Sequence, residues 1–372
     1  MSGSDTAREI AQQPAVWRDL GARLTASAPE IEAFLTPLLD RGDLRIVLTG
    51  AGTSAFAGDL LAPALARATG HRVDAVATTD VLGDPGAVFV EDVPTLLVSF
   101  ARSGNSPESV AAVRLADQQL TSVWHLLVCC NAESDLARTL AGSDRALALP
   151  IPPEAHDAGF AMTSSFTSMV LACWFALTGT KAATDVVEQV AAAAEGVLAV
   201  EDEIAALADR GARRVVYLGS GALTGMAQES ALKLLELTAG DVLGYHDSAL
   251  GFRHGPKAML NDDTLVVVLR STDPYTRQYD DDIAAELIRE LDPEKVVVLS
   301  ARPLPAELAG SGREVPGLDG LDDVQVAVVY AVFVQLFALR SSVARGLTPD
   351  NPFPSGEVNR VVRGVVVHPY PA

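Results

Sequence analysis

Two stretches decide the fold: RIVLTGAGTSAFAGDLLAPAL at 45–65 and RVVYLGSGALTGMAQESALKLLEL at 214–237. They align without a gap at an offset of 169 residues, which sets Gly50 and Gly52 on Gly219 and Gly221. At the same offset TLLVSFARS (95–103) falls on TLVVVLRST (264–272), and VWHLLVC (from Val123) nearly matches EKVVVLS (from Glu294). Several segments repeating at one spacing indicate a duplicated unit. RIVLTG, TLLVSF and VWHLLVC are continuous apolar runs, as strands buried on both faces require, and helical stretches such as SPESVAAVRLADQQL separate them. The alternation predicts two tandem doubly wound α/β domains with parallel sheets. Expected bounds are a leading helical segment at 1–42, domains at 43–205 and 206–345, and a tail at 346–372. The leading segment carries an apolar stripe of Trp17, Leu20, Leu24, Ile31, Phe34 and Leu38, and the tail ends in a strand-like RVVRGVVV.

In sheets of this kind ligands sit beyond the carboxyl ends of the strands, where loops lead into helices. At such a point the sequence reads VSFARSGNSPES, 98–109. Ser106 is placed as an N-cap and Pro107 as the first helical residue, so free N–H groups and the positive end of the helix dipole face the turn. Ser99, Ser103, Ser106 and Asn105 add small polar groups and Arg102 a charge, a set suited to a phosphate monoester. One serine there would be an ordinary cap; the density of hydroxyls favours the anion. GAGTS supplies Gly52, Thr53 and Ser54 in the same row. It does not extend to a dinucleotide fingerprint, because Ala55 stands where a third glycine would be needed. In the second copy the turn reads LRSTDPY, with fewer hydroxyls and a proline.

Glu229, Lys233 and Glu236 recur at i, i+4 and i+7, within about 60° of one another on a helix and roughly 10 Å long. Such a stripe is either a solvated ladder of ion pairs or an acid–base group. Leucines on most of the remaining circumference argue for burial, and hence for chemistry. A glycine-rich loop with His246, His254 and Lys257 follows. His156 is a further candidate, near the hydroxyls of Thr163, Ser164 and Ser165, while His71, His125 and His368 look incidental. No metal-ligand spacing is present and no cofactor is expected.

The net charge of −20 argues against a nucleic-acid partner, which would need basic stripes. The start, MSGSDTAREI, has no apolar signal region and no uninterrupted apolar run is long enough to span a bilayer, so a cytoplasmic protein without membrane contact is expected. Cys129, Cys130 and Cys173 read as buried core thiols in a reducing compartment.

SFARSGNSPES, GAGTSAF, GFAMTSS, LGSGALTGMAQESALKLLELTAG and GFRHGPKAML together resemble the SIS (sugar isomerase) family, whose fold is flavodoxin-like. Within it the likeness is greatest to bacterial galactosamine-6-phosphate deaminases/isomerases, also called tagatose-6-phosphate ketose/aldose isomerases. The resemblance implies a cofactor-free reaction on a hexosamine 6-phosphate that gives a ketose 6-phosphate and ammonia. Glu236 would be the C1/C2 proton-transfer base, His254 the ring opener, and Lys233 and Glu229 supporting groups. Ser103 and Ser106 would hold phosphate; Thr53, Ser54 and Arg102 would line the pocket. Arg360 stands roughly where a relative has a C-terminal lysine, and arginine keeps its proton. The family also implies a homodimer, or a dimer of dimers, in which His254 serves the neighbouring chain's site. Plain aldose–ketose isomerisation, deglycation of another 6-phosphosugar and non-catalytic sensing are the rival readings.

Overall fold

The computed structural model describes residues 4–362 and 364–371. Among these residues ten strands form two five-stranded sheets. The first contains β1 (Arg45–Thr49), β2 (Arg72–Ala75), β3 (Thr95–Ala101), β4 (Val123–Cys129) and β5 (Ala146–Ala148), in the order β2-β1-β3-β4-β5. The second contains β6 (Arg214–Gly219), β7 (Leu243–Asp247), β8 (Thr264–Arg270), β9 (Val296–Ser300) and β10 (Gly312–Glu314), in the order β10-β9-β8-β6-β7. Read from the other edge, the second order is the first one again, and every pairing in both sheets is parallel. The register repeats as well: Arg45 lies opposite Thr95, and Arg214 opposite Thr264. The central strands β1, β3 and β8 are buried at every position, which is why their residues run apolar without alternation.

The chain packs as two compact units, and each contains one sheet. The unit around the first sheet comprises Val16–Asp157, Ser164–Thr184 and the chain from Gly356 onward. The unit around the second comprises the chain up to Ala15, Ala158–Thr163 and Asp185–Ser355. The leading residues are helical, as Asp5–Ala11, Gln13–Ala26 and Ala28–Leu39, and divide between the two units at Ala15. Of the expected stripe, Phe34 is only half-buried; Leu35, one position on, is buried in its place. Trp17 is fully buried and donates its Nε1–H to Thr167 Oγ1 at 3.0 Å.

The tail departs from expectation. No described residue of 360–367 is in a strand, and Arg363 lies outside the described residues. A strand needs a ladder partner, and the described residues of this stretch have none: Val362, Val366 and Val367 remain 55%, 71% and 42% exposed. Arg102 Nη2 donates to the Arg360 carbonyl at 2.8 Å, and further along the tail Gln118 Nε2 donates to the Tyr370 carbonyl at 3.3 Å. The Asp323–Ala344 helix is long and apolar enough to cross a membrane, but 89% of its most apolar window is buried within the fold, which makes it a core helix.

Candidate active site

β3 ends at Ala101, and the Pro107–Gln119 helix begins after five residues. Ser106 caps it as the sequence predicts: its Oγ accepts the Ser109 N–H at 3.3 Å and lies 2.7 Å from Ser109 Oγ, with Pro107 in the first turn. Gly104 is required, because its φ is +63° and a Cβ would stand 2.5 Å from Ser134 Oγ. Asn105 faces the next helix, where its Oδ1 accepts the Asp135 N–H at 2.9 Å. Ser103 is half-buried; its Oγ accepts a long 3.4 Å bond from the Asn105 N–H, so its own proton remains to be donated. Ser99 lies inside β3 opposite Thr49, 4% exposed, with no hydrogen-bond partner on its Oγ among the described residues. Gly52, at φ +56°, precedes the Thr53–Thr69 helix, whose first residues Thr53 and Ser54 are buried.

Arg102 is 7% exposed. It reaches the Arg360 carbonyl, and the Arg360 guanidinium donates to the Asp157 carbonyl. The Asp157 carboxylate is fully buried and accepts the N–H groups of Ser164 and Ser165, at 3.0 and 2.9 Å, at the start of the Ser164–Thr178 helix. Asp157 escapes sequence reading because it caps from seven residues upstream, outside any local capping pattern. Thr163, the residue before that helix in the chain, is fully buried. His156 is exposed next to the cluster; partial burial, then the charges of Arg360 and Arg102, hold its pKa below the usual imidazole value.

In the other unit the Ala222–Leu237 helix carries the predicted stripe. Lys233 Nζ lies 2.6 Å from Glu236 Oε2 and 3.4 Å from Glu229 Oε1. Glu229 and Lys233 are each 1% exposed, whereas Glu236 is 25% exposed. The stripe is therefore no solvated ladder. Two groups are buried, and the third opens to solvent, where a substrate could meet it.

The histidine stretch is not all loop. Leu243–Asp247 forms the edge strand β7 and carries His246, whose pKa burial lowers against the opposing effect of Asp247. Gly251–Arg253 is a 3₁₀ turn seated by the fully buried Phe252. Arg253 and Lys257 both bind Glu286, and Lys257 also binds Glu290 at 2.6 Å, which leaves Lys257 committed to the Thr276–Glu290 helix. His254, between these anchors, is exposed, and among the described residues none hydrogen-bonds its ring.

The chain matches the SIS domain model over residues 39–179 and 210–304. It belongs to the SIS family. The first matched segment contains all five strands of the first sheet, and the second contains β6 to β9 of the second sheet. The chain is 44% identical over 373 residues to the D-galactosamine-6-phosphate deaminase AgaS of Escherichia coli, spanning 100% of this chain and 97% of that one. A Streptomyces coelicolor protein that bears this name provisionally is 54% identical over 99% of this chain and 96% of its own. The crystal structure of an Escherichia coli tagatose-6-phosphate ketose/aldose isomerase superposes with a TM-score of 0.91 at 42% identity, over 100% of this chain and 98% of that one.

In the second SIS repeat the Thr276–Glu290 helix carries a fully buried carboxylate, Asp280. Burial raises its pKa to about 6 from 3.8, with Asp323 and Asp281 adding to the rise and bonds from Ser220 and the Ser271 N–H opposing it. A carboxyl whose folded pKa exceeds its unfolded one stabilises the fold when protonated, and that stability is lost as pH rises from about 4 to about 6. Urea unfolding of wild type and Asp280→Asn across this range should show wild type losing on the order of 2–3 kcal/mol relative to the variant. Parallel pH profiles would refute the assignment.

Proposed function

We propose that this chain converts galactosamine 6-phosphate and water into tagatose 6-phosphate and ammonia. The observation that carries the reading is the Glu229–Lys233–Glu236 stripe, buried at two members and open at the third, in a chain that belongs to the SIS family and is close to deaminases of this type. The Ser103 and Ser106 turn and the Gly52–Ser54 turn hold the 6-phosphate; Ser99, Arg102, Asn105, Thr163, Ser164 and Arg360 shape its surroundings. His254 moves a proton between O1 and O5 to open the ring. Glu236 takes the C2 proton from the open aldehyde, which gives an enolamine. Returning a proton to C1 leaves an iminium at C2, and water releases it as ammonia and the ketose. Lys233 keeps the carboxylate side chain in place, and Glu229 balances the lysine. The three buried free thiols fit a cytoplasmic protein.

The test is ammonia release, without added metal or nucleotide, across hexosamine and hexose 6-phosphates. Galactosamine 6-phosphate should turn over fastest. Equal or faster turnover of glucosamine 6-phosphate would contradict the galacto assignment, and binding without turnover would make the protein a sensor. Ser103→Ala removes a phosphate donor and should weaken substrate binding by about 1–3 kcal/mol, with far less effect on the unphosphorylated sugar. Equal weakening of both, by calorimetry, would assign the turn a structural role.

The active form is a homodimer in which His254 serves the partner's Glu236. Leu235, Leu243 and Leu250 are 39%, 48% and 47% exposed around the catalytic helix and the edge strand β7, apolar surface of the kind a second copy would cover. Glu236→Ala and His254→Ala chains, each inactive alone, should recover about a quarter of wild-type activity when unfolded and refolded together, because half the dimers are hybrids with one intact site of two. An inactive mixture with hybrids proven by mass spectrometry would place both groups in one chain.

A further inference from the structure

The turn after β8 is the repeat of the Ser103 turn. Thr272 lies 169 residues beyond Ser103, and the Thr276–Glu290 helix starts at the position matching Pro107. Three of its donors converge on one group. The Asp323 carboxylate accepts the Ser271 hydroxyl at 2.6 Å through Oδ2, and through Oδ1 the Thr272 N–H at 2.6 Å and the Thr272 hydroxyl at 2.8 Å. The neighbouring Ser271 N–H goes to Asp280 at 2.9 Å, and the N–H groups of the N-cap Tyr275 and of the first helical residue Thr276 go to Asp273 at 3.0 and 2.8 Å. Two hydroxyls and a main-chain N–H on the two oxygens of one anion are the contacts a phosphate-type oxyanion would take at a strand-to-helix turn.

We propose that the second repeat retains an anion cradle whose anion is built into the chain: the Asp323 carboxylate occupies it, so that an external phosphate or carboxylate binds there only when that side chain is removed. The comparison with the first turn rests on the phosphate reading given above. The built-in anion has two consequences. It fixes the start of the Asp323–Ala344 helix to the end of β8. It also bars a second substrate phosphate, because the donors are used and Asp273, Asp280 and Asp323 repel an incoming anion. One chain thus presents one phosphate turn, although its fold is duplicated.

The experiment is anion rescue in the full chain. Asp323→Ala should melt about 5 °C below wild type in a chloride buffer, and millimolar inorganic phosphate or formate should restore at least half of the loss. Rescue should be stronger at pH 5.5 than at pH 8, because Asp280, with a pKa of about 6, is then largely neutral. Asp323→Asn fills the same space with an amide and should not be rescued. If Asp323→Ala is recovered only as aggregate, Asp323→Ser is measured in the same way. Placing each variant in a Ser103→Ala background separates the two turns. Rescue that survives there belongs to the second repeat, even if phosphate no longer stabilises the altered first turn. Rescue that disappears there, a melting loss indifferent to anions, or no melting loss at all overturns the proposal.

Discussion

Glu236→Gln lowers kcat on galactosamine 6-phosphate by about 10²–10⁴-fold, while substrate binding stays near its wild-type value. The amide keeps the shape of the side chain but cannot accept the C2 proton. Two features make the loss specific to chemistry. Glu236 is the one member of the stripe open to solvent, at 25%, so its replacement empties no core space. Lys233 also retains a second carboxylate, Glu229, at 3.4 Å, so the buried ammonium is not stranded. The melting temperature should therefore barely move. Stopped-time assays with a parallel melt check both halves, and a near-normal kcat would transfer the base role to another group, with Glu229 first in line.

Lys233→Met destabilises the fold by about 3–5 kcal/mol, the penalty for leaving buried charge without its counterion. Lys233 and Glu229 are each 1% exposed. Methionine fills much of the lysine stem's volume, so packing accounts for little of the loss. The second half of the prediction isolates charge from shape: adding Glu229→Gln to Lys233→Met should recover much of the stability, since both buried charges are then gone. Urea unfolding measures both variants. A loss below about 1 kcal/mol for the single variant would mean the pair behaves like a solvated surface ion pair, and the Ala222–Leu237 helix would lose its buried anchor.

The parts of this fold legible in the sequence are those specified by short-range pattern. Continuous apolar runs mark strands buried on both faces, and the 169-residue offset carries over into sheet order and register. Ser106 followed by Pro107 marks a helix start because both capping groups are adjacent in the chain. The charged stripe is legible because helical period alone places its members together. What escaped depends on distant partners. LGYHD reads as loop because an edge strand needs neither alternation nor continuous apolar residues, only the open side of β6. RVVRGVVV reads as strand on composition, yet no neighbouring edge receives its described residues. Asp157 and Asp323 cap turns from seven and about fifty residues away, so their roles appear only once the chain is folded.

Following ammonia and ketose 6-phosphate together, in one reaction started with galactosamine 6-phosphate, tests the central claim most directly. The account predicts equal rates for the two products in wild type and the joint loss of both in Glu236→Gln. Ketose formed from an aldose 6-phosphate at a comparable or greater rate, with little or no ammonia released from the amino sugar, would contradict it.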